Sequence, residues 1–129
     1  MYDIRVDAPL GLIEVTLSGM MSVEETGSYV TALKRAFVVN HLRSYAMVID
    51  VTDCPIQGQD MIAAMAQHMG SMPKARALAV VTGSSLARMQ VRRLFTQPYA
   101  RIAATVADGR AWALSGIEPP AEPPRVQGG

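Results

Sequence analysis

Apolar and polar residues alternate with a period of two over Tyr2–Val6 and again over Leu12–Ser18, with Pro9-Leu10-Gly11 between the two runs. Such alternation belongs to half-buried strands, and a turn containing Gly between two of them predicts a β-hairpin. The period then changes. Ser22-Val23-Glu24-Glu25 sets a hydroxyl three residues before a carboxylate, which satisfies the orphan amides of a starting helix. Thr26, Val30, Leu33 and Phe37 continue at helical spacing. Tyr45–Val51 is short, nearly all apolar and rich in β-branched residues, the pattern of a strand covered on both faces. After a polar turn over Thr52–Gln59, a helix is predicted from about Asp60 to Met69, with Met61, Met65 and Met69 four apart and Gly70-Ser71-Met72-Pro73 as its stop.

Arg76–Thr82 is the next buried strand. Gly83-Ser84-Ser85 supplies a turn and a helix cap, and Leu86–Phe95 predicts a third helix that Pro98 ends, with Leu86, Met89, Leu94 and Phe95 expected to face inward. Arg101–Val106 reads as a last strand, and Asp108 as the cap of a short helix holding Trp112 and Leu114. Strands alternating with helices after an opening hairpin predict an α/β fold. Its mixed β-sheet of four or five strands is parallel at the centre and antiparallel at the N-terminal edge, with about four helices. The domain is expected over residues 1–117. Pro119, Pro120, Pro123 and Pro124 with Gly128 and Gly129 mark 118–129 as a disordered tail.

Composition narrows the class. With 129 residues, 50% hydrophobic and 18% charged, one core is expected and no metal or disulfide staple is needed. A single cysteine, Cys54, excludes an internal disulfide and points to a reducing, cytoplasmic compartment. The opening residues lack the layout of a secretion signal, and no apolar run approaches the roughly 20 residues of a transmembrane segment. The net charge of +1 conceals a split: residues 1–60 hold eight acidic and four basic side chains, residues 61–110 one acidic and seven basic. Such a split can steer an anionic partner to one side of the molecule. A pI of about 7.9 and few aromatic residues argue against nucleic acid.

The stretches Gly19–Glu25, Val48-Ile49-Asp50-Val51-Thr52-Asp53, Ala79–Ser84, Ala87–Leu94 and Asp108–Leu114 resemble the SpoIIAA-like proteins, distant relatives of the STAS domains of anti-sigma-factor antagonists. The resemblance spans about residues 1–117. It implies a mixed sheet with helices packed on it, and a non-enzymatic role as a regulatory interaction module or as a carrier of an apolar or acyl ligand. The antagonists carry a phosphorylatable Ser where the helix after the central strand begins. Here 53–61 contains no Ser or Thr, so the phosphorylation switch is not carried over. Asp60 there reads as an acidic residue complementing the helix dipole.

Several side chains are candidates for chemistry. Ligands of open parallel sheets gather beyond the carboxyl ends of the strands, which directs attention to Asp50 and Asp53 and to Thr82-Gly83-Ser84-Ser85. The two carboxylates suit a cation or a ligand hydroxyl, or cap their own loop. The hydroxyl-rich turn suits an anion, with Arg88 one turn further in, or serves only as a helix cap. Arg88 and Arg92, with Arg93 beside them, form a basic face that is either solvated or docks an acidic partner or head group. Met61 and Met65 suit an adaptable apolar wall, or core filling. Cys54 with His41 or His68 gives no recognisable nucleophile pair, and these residues lack metal-ligand spacing. No catalytic set, metal or cofactor is therefore assigned. The expectation is a non-enzymatic module that binds a protein partner or a small apolar or anionic ligand, with a homodimer left open.

Overall fold

The computed structural model describes residues 1–42, 44–54, 67 and 74–120. Five strands form one sheet in the order in which they occur along the chain: β1 (Tyr2–Asp7), β2 (Leu12–Ser18), β3 (Ala46–Asp53), β4 (Ala77–Val81) and β5 (Ala100–Ala103). β1 and β2 are antiparallel, and β2, β3, β4 and β5 are parallel. Three helices are described: α1 (Val23–Val39), α2 (Ser85–Leu94) and α3 (Val106–Ser115). The mixed sheet with its antiparallel N-terminal edge is thus as the sequence predicts. The helix expected over Asp60–Met69, with Met61 and Met65, lies outside the described residues apart from Gln67.

The hairpin closes where glycine is required. Gly11 has φ +60°, and a Cβ there would stand 3.0 Å from the Ser44 carbonyl and 3.1 Å from the Arg76 guanidinium. Arg76 fixes the turn by donating to the carbonyl of Leu10 at 2.8 Å and to Ser44 Oγ at 3.2 Å.

Register divides the side chains between two faces. Ile13, Val15 and Leu17 of β2, Met47 and Ile49 of β3 and Leu78 of β4 are buried with Tyr29, Val30 and Leu33 of α1. On the opposite face Leu12, Ala46, Val48, Ala79, Val81 and Ala103 meet Ala113 and Trp112 of α3. The second layer is thin because small residues meet there. A Cβ on Gly109 of α3 would lie 3.1 Å from a Val81 methyl and 3.4 Å from Ala79 Cβ and a Val48 methyl. α3 therefore rests almost directly on β3 and β4.

Helix starts follow side-chain capping, which here corrects one expectation. Ser22 Oγ accepts from the Glu25 amide at 3.0 Å, as the Ser-to-Glu spacing predicts, while the Glu25 carboxylate pairs with the Met1 amine at 3.0 Å. α3 is capped by Thr105, whose hydroxyl accepts from the Asp108 amide at 3.1 Å. Asp108, expected to be the cap, lies in the first turn instead, because Thr105 has the extended backbone a cap needs and Val106 is already helical.

Replacing Gly109 by Val should cost about 1–3 kcal/mol through overpacking against Val81, read as a lowered thermal midpoint. A midpoint equal to wild type would show that α3 is not held at this distance.

Candidate functional site

The last strand of a parallel sheet has a neighbour on only one side, and in this chain a groove forms there. Its volume is about 460 Å³. Val80 of β4, Ala100 and Ile102 of β5 and Val91 and Phe95 on or just after α2 give it an apolar wall. Arg88 and Arg92 of α2 and Arg101 of β5 also line it, with Glu118, Pro119 and Pro120.

The phase of α2 sets which groups reach this groove, and here a second expectation is corrected. Arg88 is 6% exposed, whereas Leu86 is 60% and Met89 53% exposed. A helix turns about 100° per residue. With Val91 seated on the sheet, Arg88 is about 60° from it and Met89 about 200° away, on the solvent side. Leu86 and Met89, expected to face inward, therefore face out, whereas Phe95 packs against the core as expected, and an arginine whose long aliphatic stem suits burial takes an inward place. The reading of Arg88 as part of a solvated basic face fails for that residue, while Arg92 and Arg93 are exposed.

Arg101 holds the outer wall in position. Its Nε and Nη2 donate to the two carboxylate oxygens of Glu118 at 2.8 and 3.0 Å, a bidentate fork. Its Nη1 donates to the carbonyls of Pro98 and Ala100 at 2.8 and 2.9 Å. The guanidinium lies 4.3 Å from the centre of the Trp112 ring, and Trp112 Nε1 donates to the Tyr99 carbonyl at 3.2 Å. Residues 117–120, where the sequence loses its periodicity, thus form a strap beside β5 anchored by one ion pair. That pairing holds the Glu118 carboxyl below its ordinary range, chiefly through the hydrogen bonds from Arg101.

The candidates at the carboxyl ends of the strands lie elsewhere. Asp50 Oδ1 accepts from the Thr52 hydroxyl at 2.6 Å and the Thr52 amide at 3.0 Å, so its carboxylate serves its own strand end. The Asp53 carbonyl accepts from the Gly19 amide at 3.2 Å. Thr82 is buried. Its amide donates to the Ala103 carbonyl at 2.9 Å, and its hydroxyl accepts from the Ser84 amide at 3.3 Å. Ser84 caps α2 by accepting from the Ala87 amide at 3.2 Å, and Ser85 opens the helix. None of these five residues lines the groove, so of the sequence candidates it unites only Arg88 and Arg92, while Met61 and Met65 are outside the described residues. Sequence reading missed Phe95, Arg101, Glu118 and the two prolines as parts of one site. The only available signal was an Arg in an otherwise apolar last strand.

Cys54 packs partly against the core. Burial pushes its thiol up. The N-terminal amine opposes that shift, and the Asp50 and Asp53 charges add to it. A raised thiol carries little thiolate near neutrality and is a poor nucleophile. Among the described residues no group of three or more His, Cys, Asp or Glu side chains is arranged to hold a metal, and no helix is long and apolar enough to cross a membrane. No protein-family model, curated protein or solved structure matches this chain.

Two outcomes follow. Iodoacetamide at mildly alkaline pH should alkylate Cys54 more slowly in the folded protein than in urea; equal rates would contradict a thiol raised by burial. Because the Glu118 carboxyl is lowered in the folded chain, its pairing is complete above the ordinary range near about 4.3 and is lost as pH falls through the lowered value. Fluorescence of Trp112, the sole tryptophan, should report a transition below that range which Glu118→Gln abolishes. An unchanged transition in the variant would assign it to another group.

Proposed function

We propose that this chain is a non-enzymatic binding module of SpoIIAA-like, STAS-related type whose groove takes a small amphipathic anion. A carboxylate or phosphate head would meet Arg88 and Arg92, and a short apolar or acyl tail would lie along Val80, Val91, Phe95 and Ile102. The observation that carries this reading is the meeting of an apolar wall with arginines in one groove of about 460 Å³. Pockets for small ligands span roughly 300–1,000 Å³ and combine apolar lining with a few convergent polar groups. Arginine suits planar, two-point recognition of carboxylate and phosphate. Support for the family reading is at the level of architecture, from the mixed sheet with its opening hairpin and the helices on both faces.

A second reading, docking of a protein partner, draws on the outer face of α2. Leu86 and Met89 are exposed there near Arg92 and Arg93, a mixture that suits a partner surface both apolar and acidic.

Titration calorimetry with octanoate and octyl phosphate separates the two. The ligand reading expects binding of one molecule per chain. Arg92→Gln should weaken that binding by roughly tenfold, since a charge-assisted hydrogen bond is worth about 1.5–3 kcal/mol. Absence of binding to either probe, or binding indifferent to Arg92→Gln, would leave the partner reading in its place.

A further inference from the structure

The two edges of the sheet are finished differently. At β5 the strap carries Pro119 and Pro120, which have no amide hydrogen to offer an incoming strand. At β1, no described segment pairs with the outer side. Which backbone groups are open there follows from the hydrogen bonds at the strand ends. The Ser18 amide donates to the Met1 carbonyl at 2.8 Å, and the Met1 amine donates to the Ser18 carbonyl at 2.7 Å. The Gly11 carbonyl, one residue before β2, turns the other way and accepts from the Ala46 amide beside β3 at 2.8 Å. Even-numbered residues of β2 therefore bond β1. Given the pairings Asp3 with Thr16 and Arg5 with Glu14, the odd-numbered residues of β1 are the ones used inward. The amides and carbonyls of Tyr2, Ile4 and Val6 point outward.

The side chains add a charge code to this edge. Asp3, Arg5 and Asp7 project from the α3 face, and the Arg5 Nε–Asp3 Oδ2 pair at 3.1 Å is open to solvent, with side chains 81% and 59% exposed. Tyr2, Ile4 and Val6 lie half-buried on the α1 face. A two-fold axis through Ile4 sets β1 antiparallel to β1 of a second copy. Ile4 then faces its own copy, Tyr2 faces Val6 and Val6 faces Tyr2. Every outward amide and carbonyl of the three residues finds a partner. The same register places Asp3 opposite Arg5 and Arg5 opposite Asp3, at the closer, non-hydrogen-bonded positions where side chains interact most. Sliding by two residues opposes Arg5 to Arg5 or Asp3 to Asp3. Sliding by four restores one charge match but leaves Tyr2 and Ile4 without partners on β1.

We propose that two copies of this chain pair edge to edge through β1, centred on Ile4, forming one continuous ten-stranded sheet with reciprocal Asp3–Arg5 pairs. Charges on an edge strand normally guard against indiscriminate pairing. Here their order accepts one partner, an identical strand running the other way, and the isologous symmetry uses each pair twice.

Sedimentation velocity across a wide concentration range tests this on the full chain. The wild type should pass from monomer to dimer. Asp3→Arg and Arg5→Asp, each opposing like charges twice, should weaken the dimer by roughly tenfold or more. An equimolar mixture of the two variants should form a heterodimer, and the double reversal Asp3→Arg with Arg5→Asp should regain the homodimer. These side chains are exposed, and the mixing experiment uses both variants, so general unfolding would show as failure of the mixture together with altered circular dichroism in each. A wild type monomeric throughout, a dimer that survives both single reversals, or singles that weaken without rescue in the mixture would overturn the proposal.

Discussion

A crossover between parallel strands of one sheet is right-handed, because a twisted strand followed by a helix packs back on the sheet only that way. In a sheet whose parallel strands follow one another in chain order, every such step moves in the same direction, so its helices must lie on the same face. α1, between β2 and β3, and α2, between β4 and β5, obey this. Tyr29 and Leu33 pack with Val15 and Ile49. Val91 borders the groove with Val80 and Ile102, which are in register with Ile49. The other face is left to an element that is not a crossover, and α3 occupies it. Its close seating through Gly109 leaves α3 near enough for Arg110 to pair with Glu14 of β2.

The same ordering turns sequence position into lateral position. Because β1 to β5 are neighbours in turn, a charge imbalance along the chain becomes a gradient across the sheet. Asp3, Asp7, Glu14 and Asp50 stand on the side of the first three strands, while Arg88, Arg92 and Arg101 gather at the last. A different strand order would have interleaved these groups. The groove at β5 is therefore basic for a topological reason as well as a local one. Of these basic residues Arg101 is paired with Glu118.

What could be read in advance depended on whether a signal was local. The hairpin, the buried strands and their mixed pairing were legible because period-two alternation and uninterrupted apolar runs are imposed by burial along a strand. Helix phase was not legible for α2. Leu86 and Met89 offered a plausible inward pair, and only the seating of Val91 and Phe95 against β5 shows that Arg88 takes that place. The cap of α3 was misassigned because Thr105 and Asp108 are both good capping residues, and the backbone turn decides between them. The groove itself was out of reach. Its outer wall comes from a proline-rich stretch that has no periodicity, and its anchor is an ion pair between residues 17 apart.

The groove beside β5 and the open strand β1 stand at opposite edges of the sheet. Four strand spacings of about 4.8 Å separate them, roughly 19 Å in all. No residue of the groove belongs to β1, and no residue of β1 borders the groove. Pairing two copies at β1 therefore places both grooves at the outer ends of the joined sheet, facing away from one another. Energetic coupling across that distance would need an element with two discrete arrangements biased by both sites. The layers between them are strands locked in continuous parallel register from β3 to β5, with small residues of α3 in direct contact above. Such a layer has little room for a second packing. The proposed association at one edge and the proposed ligand capture at the other would thus be energetically independent, and each could be lost without the other.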